Sequence, residues 1–111
     1  MMQEKSMRAM FIIATAGYAS DVIEVARSAG VTGATILNAR GEGMRHELFM
    51  GITIDSEKEL ILCAVDADTA DRAMAAIKEK AGIKTPAHSV AFTMPIDKTV
   101  GLHLPGTQTG D

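Results

Sequence analysis

The chain has 111 residues, 47% of them apolar and only 4% aromatic, with a formal net charge of −3 at pH 7. Those numbers fit one domain around an aliphatic core, with methionine filling gaps, and they exclude the basic field that nucleic-acid binding requires, so no nucleic-acid partner is expected. No run approaches the roughly 18 apolar residues of a membrane span, and the opening MMQEKSMR lacks the layout of a signal peptide. The single cysteine, Cys63, can close no internal disulfide. A soluble cytoplasmic protein is the expectation.

Taken in chain order, Arg8 to Thr15 is a dense apolar run and predicts a central strand. TAGYAS breaks it. Asp21, followed three residues later by Glu24, predicts a capping box. Val22, Ala26 and Ala29 then mark the buried stripe of a helix that Gly30 ends. Thr35 to Ala39 predicts a second strand, and ARGEGMRH a polar loop. From Glu47, the alternation Leu48, Met50, Ile52, Ile54 predicts a half-buried strand. DSEKE is expected to turn the chain back into a strand at Leu60 to Val65, the two forming a hairpin.

Asp66 or Asp68 is suited to capping a second helix. Ala70, Ala73, Met74, Ile77 and Ala81 form its apolar stripe, and Gly82 its stop. Ser89 to Met94 predicts the last long strand, which Pro95 ends. Val100 to Leu104 is expected to add a short edge, and residues 105–111 a loose tail. The whole reads as an α+β, ferredoxin-like βαββαβ sandwich with two helices on one face of an antiparallel sheet. A faint internal echo supports it: Gly30-Val31-Thr32-Gly33-Ala34 recurs as Gly82-Ile83-Lys84-Thr85-Pro86-Ala87, each before a strand.

Leu60 to Val65 is apolar at both parities, so the face that the helices leave bare is apolar too. Closed self-association is the simplest remedy.

Catalytic signals are thin. His46, His88 and His103 lie in separate segments with no metal-site spacing. Thr85 and Ser89 have no paired base, and Cys63 has no local cation to activate it. Two loops are richer. Asn38 to Met44 carries Gly41 and Gly43, which allow a ligand close to the backbone. Gly82 to Asp97, GIKTPAHSVAFTMPID, joins a cation, hydroxyls, a rigid corner and an imidazole. Lys84 could neutralise a phosphate, and Thr85 or Ser89 could donate to one.

AGVTGATILNARGEG resembles the segment of the PII signalling proteins that leads into their mobile T-loop, with Gly33, Thr35, Gly41 and Gly43 at matching positions. GIKTPAHSVAFTMPID resembles the family's nucleotide-clamping B-loop and the strand that follows it, with Pro95, Ile96 and Asp97 at its end. The resemblance runs from about Ile12 to His103. It implies a single PII-like domain over residues 1–111, with a T-loop at about 41–58, assembled as a homotrimer. It further implies a regulator rather than an enzyme. A small effector, an adenine nucleotide (AMP, ADP or ATP), would bind in clefts between subunits, and a membrane transporter or enzyme would be controlled through the T-loop. Carried over residue by residue, the cleft would hold Ile13, Thr35, Gly41, Gly43, Lys84, Thr85, Pro86, Ala87, His88 and Ser89, with no metal firmly implied.

The B-loop here has Lys84 to Ser89 in place of a glycine-rich cradle. The positions of two triphosphate-binding arginines hold Gly101 and His103, which points to a less charged ligand such as AMP or ADP. The alternative is a divalent-metal-binding trimer resembling the CutA-type proteins, using His46, His88, His103 or Cys63. An acylphosphatase-like hydrolase would need an arginine after the first strand, and TAGYAS has none.

Overall fold

The computed structural model describes residues 6–41, 48–49, 52–53 and 56–102. Strand β1 (Met7–Thr15) leads to helix α1 (Ala19–Ser28) and strand β2 (Thr35–Gly41). Two short strands, β3 (Leu48–Phe49) and β4 (Ile52–Thr53), precede the long β5 (Ser56–Asp66), helix α2 (Ala67–Lys80) and β6 (Val90–Pro95). The main sheet is antiparallel in the order β2-β5-β1-β6. This is the ferredoxin-like α+β fold, with α1 and α2 packed together on one sheet face.

Alternation along the strands decides what each face carries. On β1 the even positions Met10, Ile12 and Ala14 are fully buried. Their register partners Cys63 and Ile61 on β5 join them, and the helices complete the core with Val22, Ala26, Ala70, Ala73 and Ile77. Burying a side chain the size of Ile12 or Ile61 contributes about 1.5–3 kcal/mol.

Odd positions of β1 point to the other face and form rows with their partners. Leu37, Leu60, Ile13 and Val90 make one row; Thr35, Leu62, Phe11 and Phe92 the next; Ala64, Ala9 and Met94 the third. No element of the described chain packs over these rows. Leu37, Val90, Phe92 and Met94 are about half exposed, and the Phe11 and Phe92 rings stack at 5.2 Å and 13°.

Four expectations change. β5 pairs with β2 across the loop, whereas the stretch at 48–53 forms its own small ladder, Leu48 opposite Thr53 and Phe49 opposite Ile52. Ser56 to Glu59, expected as a turn, are the first residues of β5 and extend the ladder to Gly41. Residues 100–102 form no strand, and 103–104 lie outside the described residues, as does the tail at 105–111.

The capping box is also absent. Helix α1 begins at Ala19, two residues before Asp21, and Glu24 instead pairs with Arg27 at 2.9 Å on the surface. The start of α1 is held from outside by Glu59 of β5, whose Oε1 accepts the N–H groups of Gly17 (2.6 Å) and Ala19 (3.2 Å). A carboxylate there satisfies donors that the first turn leaves open and meets the positive end of the dipole. At α2, Asp66 is the residue at the helix start, as expected. Its carboxylate accepts the Thr69 hydroxyl at 2.5 Å rather than a backbone N–H of the first turn.

Candidate functional site

One end of the sheet gathers three segments. The connector from β1 to α1 donates the Thr15 N–H to the Ala87 carbonyl (2.9 Å) and the Ala16 N–H to the Glu57 carbonyl (3.1 Å). It is thereby tied on one side to the stretch after α2 and on the other to the first residues of β5. Glu59 adds the third tie through Gly17 and Ala19.

The stretch from Ala81 to Ser89 closes on itself. The Thr85 N–H and hydroxyl both donate to the Gly82 carbonyl, at 3.0 and 2.8 Å. The His88 N–H donates to the Thr85 carbonyl (3.0 Å), and the Ser89 N–H to the Ala81 carbonyl (2.9 Å). Pro86 sits at the exposed corner, with its φ fixed by its ring. His88 has φ 47°, the one positive-φ residue other than glycine among those described. Ala87 is buried against β1, whereas Lys84 and His88 are exposed and Thr85 is half-buried. This is a preformed loop with a cation and an imidazole outward.

Ile13 lies beside this loop on the open sheet face, opposite Val90. Gly41 ends β2 opposite Ser56, at the mouth of the loop that follows it; Gly43 lies outside the described residues. Thr35 is elsewhere. It stands on the edge strand β2, one row further along and three strands from β6, which at the usual strand spacing is about 14 Å away. Within one chain Thr35 is therefore not in contact range of residues 84–89. Ser89 is buried, and its alternation places its side chain with Ala91 on the helix side of β6, away from Ile13.

Sequence reading missed Glu59. Its signal was the single acid at the start of ELILCAV, at a position whose parity faces the helices.

Cys63 is buried in the core, which pushes its thiol up to about 11 and disfavours the thiolate that a metal requires. Among the described residues, no three His, Cys, Asp or Glu side chains gather in one place, and no helix is long and apolar enough to cross a membrane. His46 and His103 lie outside the described residues.

The family model of nitrogen regulatory protein P-II matches residues 7–103. The chain belongs to that family. No curated protein matches the sequence. Solved structures share the fold: the GlnK–ATP complex of B. subtilis at 18% identity and TM-score 0.68, covering 89% of each chain. A PII-like signalling protein of Thermus thermophilus aligns at 21% identity and TM-score 0.60, over 86% of this chain and 91% of that one. CPII of Thiomonas intermedia, bound to ADP, AMP and bicarbonate, aligns at 16% and 0.65, over 90% and 100%. The family and the sheet order together make this a PII-like signalling protein on a ferredoxin-like frame.

Proposed function

We propose that this PII-family chain is a trimeric regulatory sensor. It binds an adenine nucleotide between subunits and controls a partner, such as a membrane transporter, through the loop at about 41–58. The observation that carries the reading is the meeting of Ile13 with the Lys84–Ser89 loop at one end of an uncovered apolar sheet face. Burying the three open rows against other copies would remove their apolar surface from water. The same assembly would bring a neighbouring copy's Thr35 to a cleft that a single chain leaves without it.

In that cleft Ile13 offers an apolar surface and Lys84 and His88 offer donors, while the Thr85 hydroxyl, which donates to the Gly82 carbonyl, is left to accept. The backbone of residues 86–89 and of Gly41 and Gly43 would frame the ligand. The exposed Lys84 is the one cation of the 84–89 loop, which favours one or two phosphates over three. The structures of GlnK with ATP and of CPII with ADP, AMP and bicarbonate support the class of ligand.

Two measurements test this. Light scattering at micromolar concentration is expected to give three times the 11.7 kDa chain mass; a monomer would remove the shared cleft. Calorimetric titration is expected to rank AMP and ADP above ATP. Lys84→Ala should weaken the best nucleotide by roughly tenfold, the loss of one charge-assisted contact. Unchanged affinity in both Lys84→Ala and His88→Ala would move the site away from this loop.

A further inference from the structure

The stretch after α2 has a second side. Between the C-terminal half of α2 and the outer edge of β6 lies an open cavity of about 830 Å³, a volume in the range of small-ligand sites. Met74, Ile77, Ile83 and Ala91 line it. Ile83 is 66% exposed, a large apolar side chain left at the cavity wall just after a helix whose larger apolar residues, Ile77 and Met74, are buried or partly buried.

Ser89 lines the same cavity. It is 6% exposed, and its hydroxyl has no hydrogen-bond partner among the described residues. A buried hydroxyl without a partner opposes folding, so its retention calls for a group that pairs with it. Lys78 and Lys84 stand exposed at the rim, and Glu79 is the one acid beside them, leaving a net positive mouth over an apolar body. Ser89 and Ala91 face the helix side of β6, so the cavity lies behind the sheet face that carries Ile13 and Val90.

We propose that this cavity binds a small amphipathic carboxylate. Its apolar body lies on Met74, Ile77, Ile83 and Ala91. Its head accepts the Ser89 hydroxyl and is balanced by Lys78 and Lys84. An apolar lining with a few convergent polar groups orients such a ligand, and the two ammonium groups select the anion over its neutral counterpart. The proposal goes beyond the nucleotide reading and uses the opposite face of β6; Lys84 is common to both sites, whereas Met74, Ile77 and Lys78 belong to this one alone, so a change at Lys78 tests it without touching the nucleotide cleft.

Amide NMR of the full chain titrated with decanoate tests it. Saturable shifts are expected at residues 74–84 and 89–91, with decanol roughly tenfold weaker. Lys78→Glu, a surface change, should weaken decanoate to about the level of decanol and leave decanol unaffected. Ser89→Ala should weaken decanoate several-fold while Tm stays level or rises, since no structural hydrogen bond is lost; a drop in Tm would show that the hydroxyl is already paired within the fold and would overturn its role as ligand donor. Shifts centred on Phe11 and Phe92, equal binding of decanol, or no saturable shift would each overturn the proposal.

Discussion

The two halves of the chain each run from a helix through a glycine to a strand, and the two connections work in opposite ways. After α1, Gly30 has φ 110°, and the Gly30 and Val31 N–H groups return to the Arg27 and Ala26 carbonyls at 3.0 and 3.1 Å. That is a Schellman closure, and its following apolar residue, Val31, is buried at 5%. After α2, Gly82 has no positive φ. It is required because a Cβ there would stand 2.5 Å from the Lys78 carbonyl oxygen. The matching apolar residue, Ile83, is thrown outward, and the chain makes a further hydrogen-bonded loop before β6. The first connection is a stop that seals the core. The second keeps a cation, an imidazole and an apolar side chain outside it, and this is where the proposed sites lie.

The comparison breaks most sharply at the glycines. Gly82→Ala forces its Cβ against the Lys78 backbone carbonyl, which a side-chain shift cannot relieve, and is expected to cost about 3 kcal/mol. Gly30→Ala meets only ordinary contacts, with Arg72 and Thr69 at 3.4–3.5 Å, and its cost of about 2 kcal/mol comes from the positive φ. Asn, which tolerates left-handed backbone, should recover part of the loss at 30 and none at 82. Urea unfolding of the four variants checks this; recovery at both positions would mean that one mechanism serves both halves.

The next contrast is at the apolar residues that follow. Val31→Ala removes two buried methyl groups and should cost about 1.5 kcal/mol, whereas Ile83→Ala should change stability little. If Ile83→Ala destabilises as much as Val31→Ala, the side chain is covered in solution, and another copy or partner is seated on it. At the helix starts, Glu59→Ala should cost about 1 kcal/mol, the usual worth of a cap. Because Glu59 follows the loop base, amide exchange is expected to quicken at Gly17 and Ala19 in that variant, with the start of α2 unaffected.

Periodicity made much of this legible. The stripe Ala70, Ala73 and Ile77 was readable because burial follows the 3.6 repeat, and β1 was readable as a strand from its continuous apolar run, although which of its two apolar parities meets the helices was not. The apolar parity of Leu60, Leu62 and Ala64 likewise announced a face in need of cover. Three further things were not legible, each for a physical reason. The Asp21–Glu24 spacing matches a capping box, but the helix starts earlier because a carboxylate 40 residues away in sequence supplies the cap. The alternation at 48–54 predicted a strand in a hairpin with Leu60 to Val65, but β3 and β4 pair only with each other and β5 pairs with β2 across the intervening loop, a long-range pairing that local alternation does not carry. The echo between Gly30 and Gly82 is a likeness of letters; φ and close contact, which letters do not carry, separate the two. At the candidate site, the loop residues were found by composition, but which side of β6 each one faces followed only from register.

The smallest expected effect on stability is at His88, and it separates backbone from side chain. At φ 47° the imidazole's backbone sits in left-handed space, which costs most L-residues about 1–2 kcal/mol. Glycine removes that strain but costs about 0.5–1 kcal/mol through the freedom it adds to the unfolded chain. The two terms oppose each other, so His88→Gly should leave Tm nearly unchanged, whereas His88→Ala keeps the strain. If the imidazole contacts nucleotide, His88→Gly and His88→Ala lose the same affinity despite their different backbones. If the loop shape alone matters, the glycine variant binds like the parent, because its Thr15–Ala87 and Ser89–Ala81 hydrogen bonds remain in place. Equal loss assigns the residue a ligand contact; retained binding assigns it a turn.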